Sequence, residues 1–309
     1  MNIVITGGSG LIAGRLANSL SKNHTITLLS KKNISNFFNH PNILVKKYKN
    51  ISELTEIFVN QDAIIYTSGP NSADCKNDYL VQKYIKETDD IIKILAENKT
   101  VEKFLFLSSI RVISDDCEGL ITEESVCNPT SNYGRVKNTI EKNLLNLNKI
   151  DGLNRIILRI TNGYGFPAHK LSDCWSLVVM DICKQAVINK KIELRSDGQV
   201  YKDFIPISTI TDTIENIITD ENLKPVEIFN VSSGISVKVI DLINKIKKIL
   251  EQKLSYNLEI QINKASNGKS IPKMFSVDNT KIVDRGYMSH IDNDCEINHL
   301  IDYCIKNFR

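Results

Sequence analysis

The chain has no run of 18 apolar residues, so it offers no candidate for a membrane-spanning helix. It has no charged N-terminal stretch leading into a long apolar core. Met1 runs directly into Ile3-Val4-Ile5, a strand-like segment, and a secretory leader is not expected. The seven cysteines (Cys75, Cys117, Cys127, Cys174, Cys183, Cys295 and Cys304) include no C-x-x-C pair, and an odd count of scattered thiols fits a reducing, cytoplasmic setting. The five histidines are dispersed, none beside Cys or Asp at metal-ligand spacing, so no metal site is expected. Charge of one sign is scarce too: 39 Lys and Arg oppose 36 Asp and Glu, a net charge of +3. That excess is too small for a protein built mainly to neutralise nucleic-acid phosphates. Internal repeats and low-complexity linkers are missing as well.

What is present is an ordinary globular composition over 309 residues, 42% hydrophobic and 24% charged. One or two domains fit that length, and they bury enough apolar surface to need no disulfide or metal. The first half alternates short apolar runs with helical patterns. Strands are expected at Asn2–Thr6, Thr25–Leu29, Ile43–Val45, Ala63–Tyr66, Lys103–Leu107 and Arg155–Ile160. Helices are expected at Gly10–Leu20, Ile51–Val59, Tyr79–Asn98 and Ser131–Leu147. Such alternation with β-branched strands implies an α/β fold, a doubly wound parallel sheet covered on both faces. After about residue 165 the rhythm loosens, with helices at Trp175–Ile188, Val237–Leu250 and Cys295–Asn307 and an alternating strand at Leu258–Ile262. Residues 1–165 are expected to form a dinucleotide-binding domain, with 200–231 returning to it. Residues 166–199 and 232–309 are expected to form a smaller C-terminal α/β substrate lobe.

Between the first strand and first helix lies Thr6-Gly7-Gly8-Ser9-Gly10-Leu11-Ile12-Ala13-Gly14, in which Gly8, Gly10 and Ala13 fit G-x-G-x-x-G/A. Glycines permit the tight turn and close backbone approach that a pyrophosphate needs, and the helix N-terminus offers unpaired N–H groups. Gly7 through Ile12 are therefore candidate cofactor contacts. The second strand ends at Leu28-Leu29-Ser30-Lys31-Lys32. An NAD site normally places an acid there for the ribose 2′-OH; a hydroxyl (Ser30) and two lysines (Lys31, Lys32) suit the 2′-phosphate of NADP instead. NADP is favoured and NAD stays open.

The strand at Lys103–Leu107 runs into Ser108-Ser109-Ile110-Arg111-Val112-Ile113, and Tyr133-Gly134-Arg135-Val136-Lys137 follows 24 residues after Ser109. Tyr133 and Lys137, four apart, share a helical face. To exchange protons near neutral pH a tyrosine must be stabilised as phenolate by ~4 kcal/mol, and a nearby ammonium supplies part of it. Taken together, the glycine turn, Ser109 and this Y-x-x-x-K resemble the extended short-chain dehydrogenase/reductase family, in its nucleotide-sugar epimerase, dehydratase and reductase branch. The resemblance covers nearly the whole chain. It implies that Ser109 polarises the substrate oxygen, that Tyr133 exchanges the proton, and that Lys137 holds the nicotinamide ribose and lowers the tyrosine pKa. It implies that Thr67, Ser68 and Gly69, with Leu107 and Ile160 at neighbouring strand ends, line the cofactor. Leu158-Arg159-Ile160-Thr161-Asn162-Gly163-Tyr164-Gly165 is similar to the family's R-x-x-N-x-Y-G segment, which makes Asn162 a substrate contact. Gly198–Ile205 is similar to its G…R-D-F-I stretch, which makes Lys202 a pyrophosphate contact in place of the usual arginine. Arg111 is a further substrate candidate. Ser276-Val277-Asp278 resembles the start of the penultimate helix, and Lys269 stands near a second phosphate-binding position. Ile113 replaces a common tyrosine, so packing of that loop must differ. His169 and Trp175 lie near the expected cleft but read as packing residues.

Dehydratases that resemble this family use an Asp-Glu pair directly after the strand-end hydroxyl. Ile110-Arg111 occupy those places and cannot perform the elimination. The favoured reading is an NADPH-dependent 4-keto reductase acting on a nucleotide-activated 4-keto-6-deoxy sugar. The alternatives are an NAD-dependent nucleotide-sugar 4-epimerase and a non-catalytic dinucleotide sensor. The resemblance also implies a homodimer paired through the helices at Tyr79–Asn98 and Ser131–Leu147.

Overall fold

A computed structural model describes residues 1–71, 73–98, 100–147, 150, 152–262, 273–288 and 291–309. The chain begins with β1 (Asn2–Ile5), α1 (Leu11–Leu20), β2 (Thr25–Leu29), β3 (Ile43–Lys46), α2 (Ser52–Ile57), β4 (Ala63–Tyr66), α3 (Asp78–Glu97) and β5 (Lys103–Ser109). It continues with β6 (Gly119–Ile121), α4 (Asn132–Asn146), β7 (Asn154–Ile160), β8 (Asn162–Tyr164), α5 (Val178–Asn189), β9 (Lys191–Leu194), β10 (Tyr201–Pro206), α6 (Ile207–Thr219) and β11 (Val226–Val231). Then come β12 (Ser236–Lys238), α7 (Val239–Leu254), β13 (Glu259–Ile262), β14 (Phe275–Val277), α8 (Thr280–Asp284) and α9 (Asn293–Phe308).

Seven strands form one sheet in the order β11-β7-β5-β4-β1-β2-β3, every neighbouring pair parallel. Successive side chains of a strand face opposite ways. Ile3, Ile5, Ile65 and Leu105 accordingly pack with Leu16 of α1 and Ile210 and Ile214 of α6. Val4, Ile64, Phe104 and Phe106 pack on the other face with Ile91 of α3 and Val136, Ile140 and Leu144 of α4. Both faces are covered, which is why these strands read as unbroken apolar runs. The chain leaves β1 in one direction toward β3 and returns on its other side as β4. The resulting reversal opens a crevice at the carboxyl ends of β1 and β4, where ligands bind in sheets of this kind. A second apolar cluster joins Ile182 and Cys183 of α5, Ile243, Ile246 and Leu250 of α7, and Leu300, Ile301 and Cys304 of α9. Beside it, β10 pairs with β8 and β12, and β9 with β13.

Some expectations need correction. Of the helix expected at Ile51–Val59, only Ser52–Ile57 is regular. Trp175 precedes α5, since Leu177 is extended and caps the helix at Val178. Trp175 instead stacks on Tyr303 at 6.0 Å and meets Phe308 edge-on at 4.8 Å. Ser276 and Val277 lie in β14, paired with β6, and the helix that follows starts at Thr280, where Asp278 accepts the Thr280 N–H at 3.0 Å. Ile113 is buried with Val112, Ile121 and Val277 in a small cluster of its own. The segment with Lys269 lies outside the described residues. Among the described residues no helix is long and apolar enough to cross a membrane.

Candidate active site

The glycine turn sits at the carboxyl end of β1. Gly7 has φ +73°, and a Cβ there would meet Thr67 Oγ1 at 2.7 Å, so only glycine fits both the backbone and the space. Gly8 N–H donates to Leu29 O at 2.8 Å and Gly10 N–H to Gly7 O at 2.7 Å. Thr6, which the motif reading passed over, ties the two sides of the crevice together. Its Oγ1 accepts the N–H groups of Thr67 and Ser68, both at 3.1 Å, and its carbonyl accepts from Thr67 Oγ1 at 2.6 Å. Helix α1 starts at Leu11 with no side-chain cap and no acid in its first turn. Its first amides and the positive end of its dipole are left for an anion, which fits a dinucleotide pyrophosphate. His169 is buried behind the turn, its Nε2 3.2 Å from Gly8 O and its ring stacked on Phe37 at 5.3 Å.

At the end of β2 the structure redistributes the expected roles. The Ser30 hydroxyl closes its own turn, donating to Lys32 O at 2.9 Å and accepting Lys32 N–H at 3.1 Å. Lys31 reaches back to α3, where its Nζ lies 3.2 Å from both carboxylate oxygens of Glu87. Lys32 is exposed.

Ser109 ends β5 and caps a short 3₁₀ turn, Ile110–Val112, its Oγ accepting Arg111 N–H at 3.3 Å. Ser131 caps α4 by accepting Gly134 N–H at 3.2 Å, and so sets the helix that carries Tyr133 and Lys137. The Lys137 ammonium is buried, donates to Leu107 O at 2.8 Å and passes so close to Gly69 that a Cβ there would lie 3.1 Å from Nζ. Lys137 thus borders the crevice at Gly69 and Leu107. The half-buried Tyr133 differs from the sequence expectation. Burial pushes its phenol up, and Arg111 and a hydrogen bond with Ser109 offset only part of that.

Burial lowers Lys137 to about 8, against the upward pull of Glu141. The folded protein therefore holds fewer protons than the unfolded chain between about 8 and the ordinary lysine value of 10.5. The cost of the buried charge is full below that window and is relieved as pH rises through it. Urea midpoints of the protein, taken relative to Lys137→Met, are expected to rise from about pH 8 to about pH 10. A flat or falling difference would contradict the buried-ammonium account.

Beyond Ser109 opens a cavity of about 490 Å³, lined by Ser109, Ile110, Arg111, Thr161, Asn162, Tyr201 and Lys202 among others. Asn162 is fixed by donating Nδ2 to Asp203 O at 2.8 Å. Asp203 is fully buried and is a residue the sequence reading missed. Its carboxylate accepts from Thr161 Oγ1 at 2.6 Å and from Ser233 N and Oγ at 2.9 Å, joining the ends of β7, β10 and β11. Burial lowers the Lys202 ammonium, and Arg111 adds to the lowering, because two cations share the cavity. Arg111 lies 3.8 Å from Asp115, while Lys202 has no ion-pair partner among the described residues. The structure thus gathers Ser109, Arg111, Asn162 and Lys202 around one space, and Tyr133 adjoins it through its hydrogen bond with Ser109. Gly7, Thr67, Ser68, Gly69, Leu107 and Lys137 border the adjoining crevice, whereas Ile160 is buried at the end of β7, paired with Ser109.

The comparisons with known proteins bear on the family and the fold. Residues 3–232 match the description of the NAD dependent epimerase/dehydratase family. An uncharacterized protein of Methanocaldococcus jannaschii is 24% identical over 278 residues, 82% of each chain. UDP-glucuronic acid decarboxylase 6 of Arabidopsis thaliana is 23% identical over 263 residues, 80% of this chain and 75% of that one. The structure of UDP-glucuronic acid 4-epimerase from Bacillus cereus, in complex with UDP-glucuronic acid and NAD, shares the fold at a TM-score of 0.82 and 19% identity over 99% of both chains.

Proposed function

The chain belongs to the NAD-dependent epimerase/dehydratase family of nucleotide-sugar enzymes, and we propose that within it the protein uses NADPH to reduce the 4-keto group of a nucleotide-activated 4-keto-6-deoxy sugar. One observation carries this choice. The two places where an acid would serve the sister reactions both hold cations: Ile110-Arg111 after Ser109, and Ser30-Lys31-Lys32 after β2. The first removes the acid/base pair of an elimination. The second puts no acid in the β2 end itself for a ribose 2′-OH and offers Lys32, beside a Lys31 already paired with Glu87, to a 2′-phosphate.

The dinucleotide would lie along Gly7–Ile12, the β4 end at Thr67-Ser68-Gly69, and Lys137. When bound, its nicotinamide supplies hydride to the ketone carbon. Ser109 Oγ hydrogen-bonds the ketone oxygen, and the Tyr133 phenol delivers a proton to that oxygen as its charge grows. Lys137 holds the ribose hydroxyls. Asn162 orients the sugar, and Lys202 with Arg111 holds the diphosphate, which needs the positive charge that the cavity concentrates. Residues 1–165 and 200–231 act as the cofactor domain, the remainder as the substrate lobe, and two copies pair through α3 and α4.

A second reading, an NAD-dependent 4-epimerase, draws on the Lys31–Glu87 pair, which leaves Lys32 alone without a carboxylate partner at the β2 end among the described residues. The test supplies NADPH with a nucleotide 4-keto-6-deoxy sugar. One NADPH consumed per ketone reduced supports the reductase. Interconversion of nucleotide hexoses at C4, with no added reduced cofactor and no ketone reduction, would replace it with the epimerase.

A further inference from the structure

Resting on the β2 end as the place of the ribose 2′ substituent, we propose that Glu87 of α3 is a specificity-determining residue for the dinucleotide: its carboxylate holds Lys31 as a 2′-phosphate would, and so limits the preference for NADPH. The pair joins two segments that lie apart in the sheet. Lys31 follows β2, two places from β4 in the strand order. Glu87 stands midway along α3, and its neighbour Thr88 pins that helix to the end of β4. Thr88 Oγ1 donates to Tyr84 O at 2.9 Å and lies 3.2 Å from the Tyr66 hydroxyl. Tyr66 is the last residue of β4 and leads into Thr67-Ser68-Gly69. From that anchor both Glu87 oxygens lie 3.2 Å from Lys31 Nζ.

The backbone on the lysine side is fixed as well. Ser30 N–H donates to Lys46 O at 3.0 Å, and Ser30 Oγ engages both the N–H and the carbonyl of Lys32. The choice of an anion at this strand end is therefore left to the lysine side chains. Among the described residues Lys31 is the one cation within ion-pair distance of Glu87. Its ammonium also lies 5.7 Å from the ring centre of Tyr48, a buried phenol that burial keeps neutral by pushing it up to about 12. The Lys31 side chain is 52% exposed and that of Glu87 19%. An ion pair so open to water is weak. An ammonium on a flexible stem also turns to a new acceptor without breaking a fixed fork of donors. A 2′-phosphate, with up to twice the charge of a carboxylate, can thus draw Lys31 from Glu87, at the cost of the existing pair. Lys32, exposed, has no such competitor among the described residues. The uncharged 2′-hydroxyl of NADH gains nothing from the release of Lys31.

The test titrates the parent protein, Glu87→Gln, Lys31→Gln and the double variant with NADPH and NADH, following the fluorescence of the reduced nicotinamide. Glu87→Gln is expected to tighten NADPH by ~5-fold and to leave NADH within about twofold. In the Lys31→Gln background the same substitution is expected to change NADPH by less than about twofold, because Glu87 acts through that lysine. Glu87→Ala should reproduce the gain should the glutamine variant fold poorly. An unchanged ratio of NADPH to NADH affinity in both Glu87 variants, or a gain that persists in full without Lys31, would overturn the assignment. So would weaker NADH binding in Glu87→Gln, since the carboxylate would then hold the 2′-hydroxyl itself. Each result is a change relative to the parent, whereas the NADPH reading stands or falls on which dinucleotide the parent itself prefers.

Discussion

Tyr133→Phe is expected to lower turnover of a nucleotide ketosugar by ~10²–10⁴-fold, the usual worth of a positioned general acid. Dinucleotide affinity should stay within about twofold of the parent, because the groups that hold the dinucleotide are elsewhere. The substitution removes one oxygen. The ring keeps its place against the apolar cluster under α4, and Lys137 keeps its bond to Leu107 O. What disappears is the phenol hydroxyl that hydrogen-bonds with Ser109. Single-turnover rates and a dinucleotide titration on the same preparation separate the two effects. Near-normal turnover would remove Tyr133 from the mechanism. An unaltered protein that binds dinucleotide and turns over no sugar would favour the sensor reading.

Glu141→Ala is expected to destabilise the protein by ~3–5 kcal/mol, the cost of stranding one half of a buried ion pair. Glu141 lies one turn beyond Lys137 on α4 and is almost wholly buried. Arg159 of β7 donates Nε and Nη2 to it, the latter at 2.9 Å, and the Ser108 hydroxyl of β5 donates as well. The same guanidinium donates Nη1 to Glu123 O at 2.8 Å, and Glu123 in turn accepts Asn230 N–H of β11 at 2.8 Å. One carboxylate therefore ties α4 to β5 and β7, and β11 is joined to them through Arg159 and Glu123. Without it, Arg159 is left charged in the interior and α4 loses its register on the sheet. Thermal unfolding should fall by roughly 10 °C. The double variant Glu141→Leu/Arg159→Met should recover much of the loss, since a well-packed apolar pair removes the stranded charge. A Glu141→Ala protein as stable as the parent would show that the pair contributes nothing.

These two predictions divide along what the sequence reveals. The places of Tyr133, Lys137 and Ser109 in the fold were legible because their signals are local: a strand end, a helix start and a four-residue spacing on one face. The strands β1, β2 and β4 and the helices α1, α3 and α4 were legible for the same reason, their apolar period being unmixed. Helix α6 was not singled out. Its Ile207, Ile210, Ile214, Ile217 and Ile218 have helical spacing, but isoleucine and threonine are also the residues of strands. Nor was the pairing of Glu141 with Arg159 visible. The R-x-x-N-x-Y-G segment draws the eye to Asn162, whereas its arginine turns away from the cavity into the core. At the end of β2 the sequence shows two lysines and a serine but neither of their partners. Glu87 lies 56 residues from Lys31, and the turn that occupies Ser30 Oγ is a matter of backbone geometry. Charge type was readable there; the extent to which α3 already occupies that charge was not.

The central claim is that this site takes NADPH as a consumable reductant. The most direct measurement denatures the purified protein, analyses any nucleotide released, and titrates the native protein with NADPH and NADH. The account predicts no retained NAD and at least ~10-fold tighter binding of NADPH, the effect of one well-placed charge on the 2′-phosphate. Stoichiometric bound NAD would contradict it and make the epimerase the better reading of the same residues.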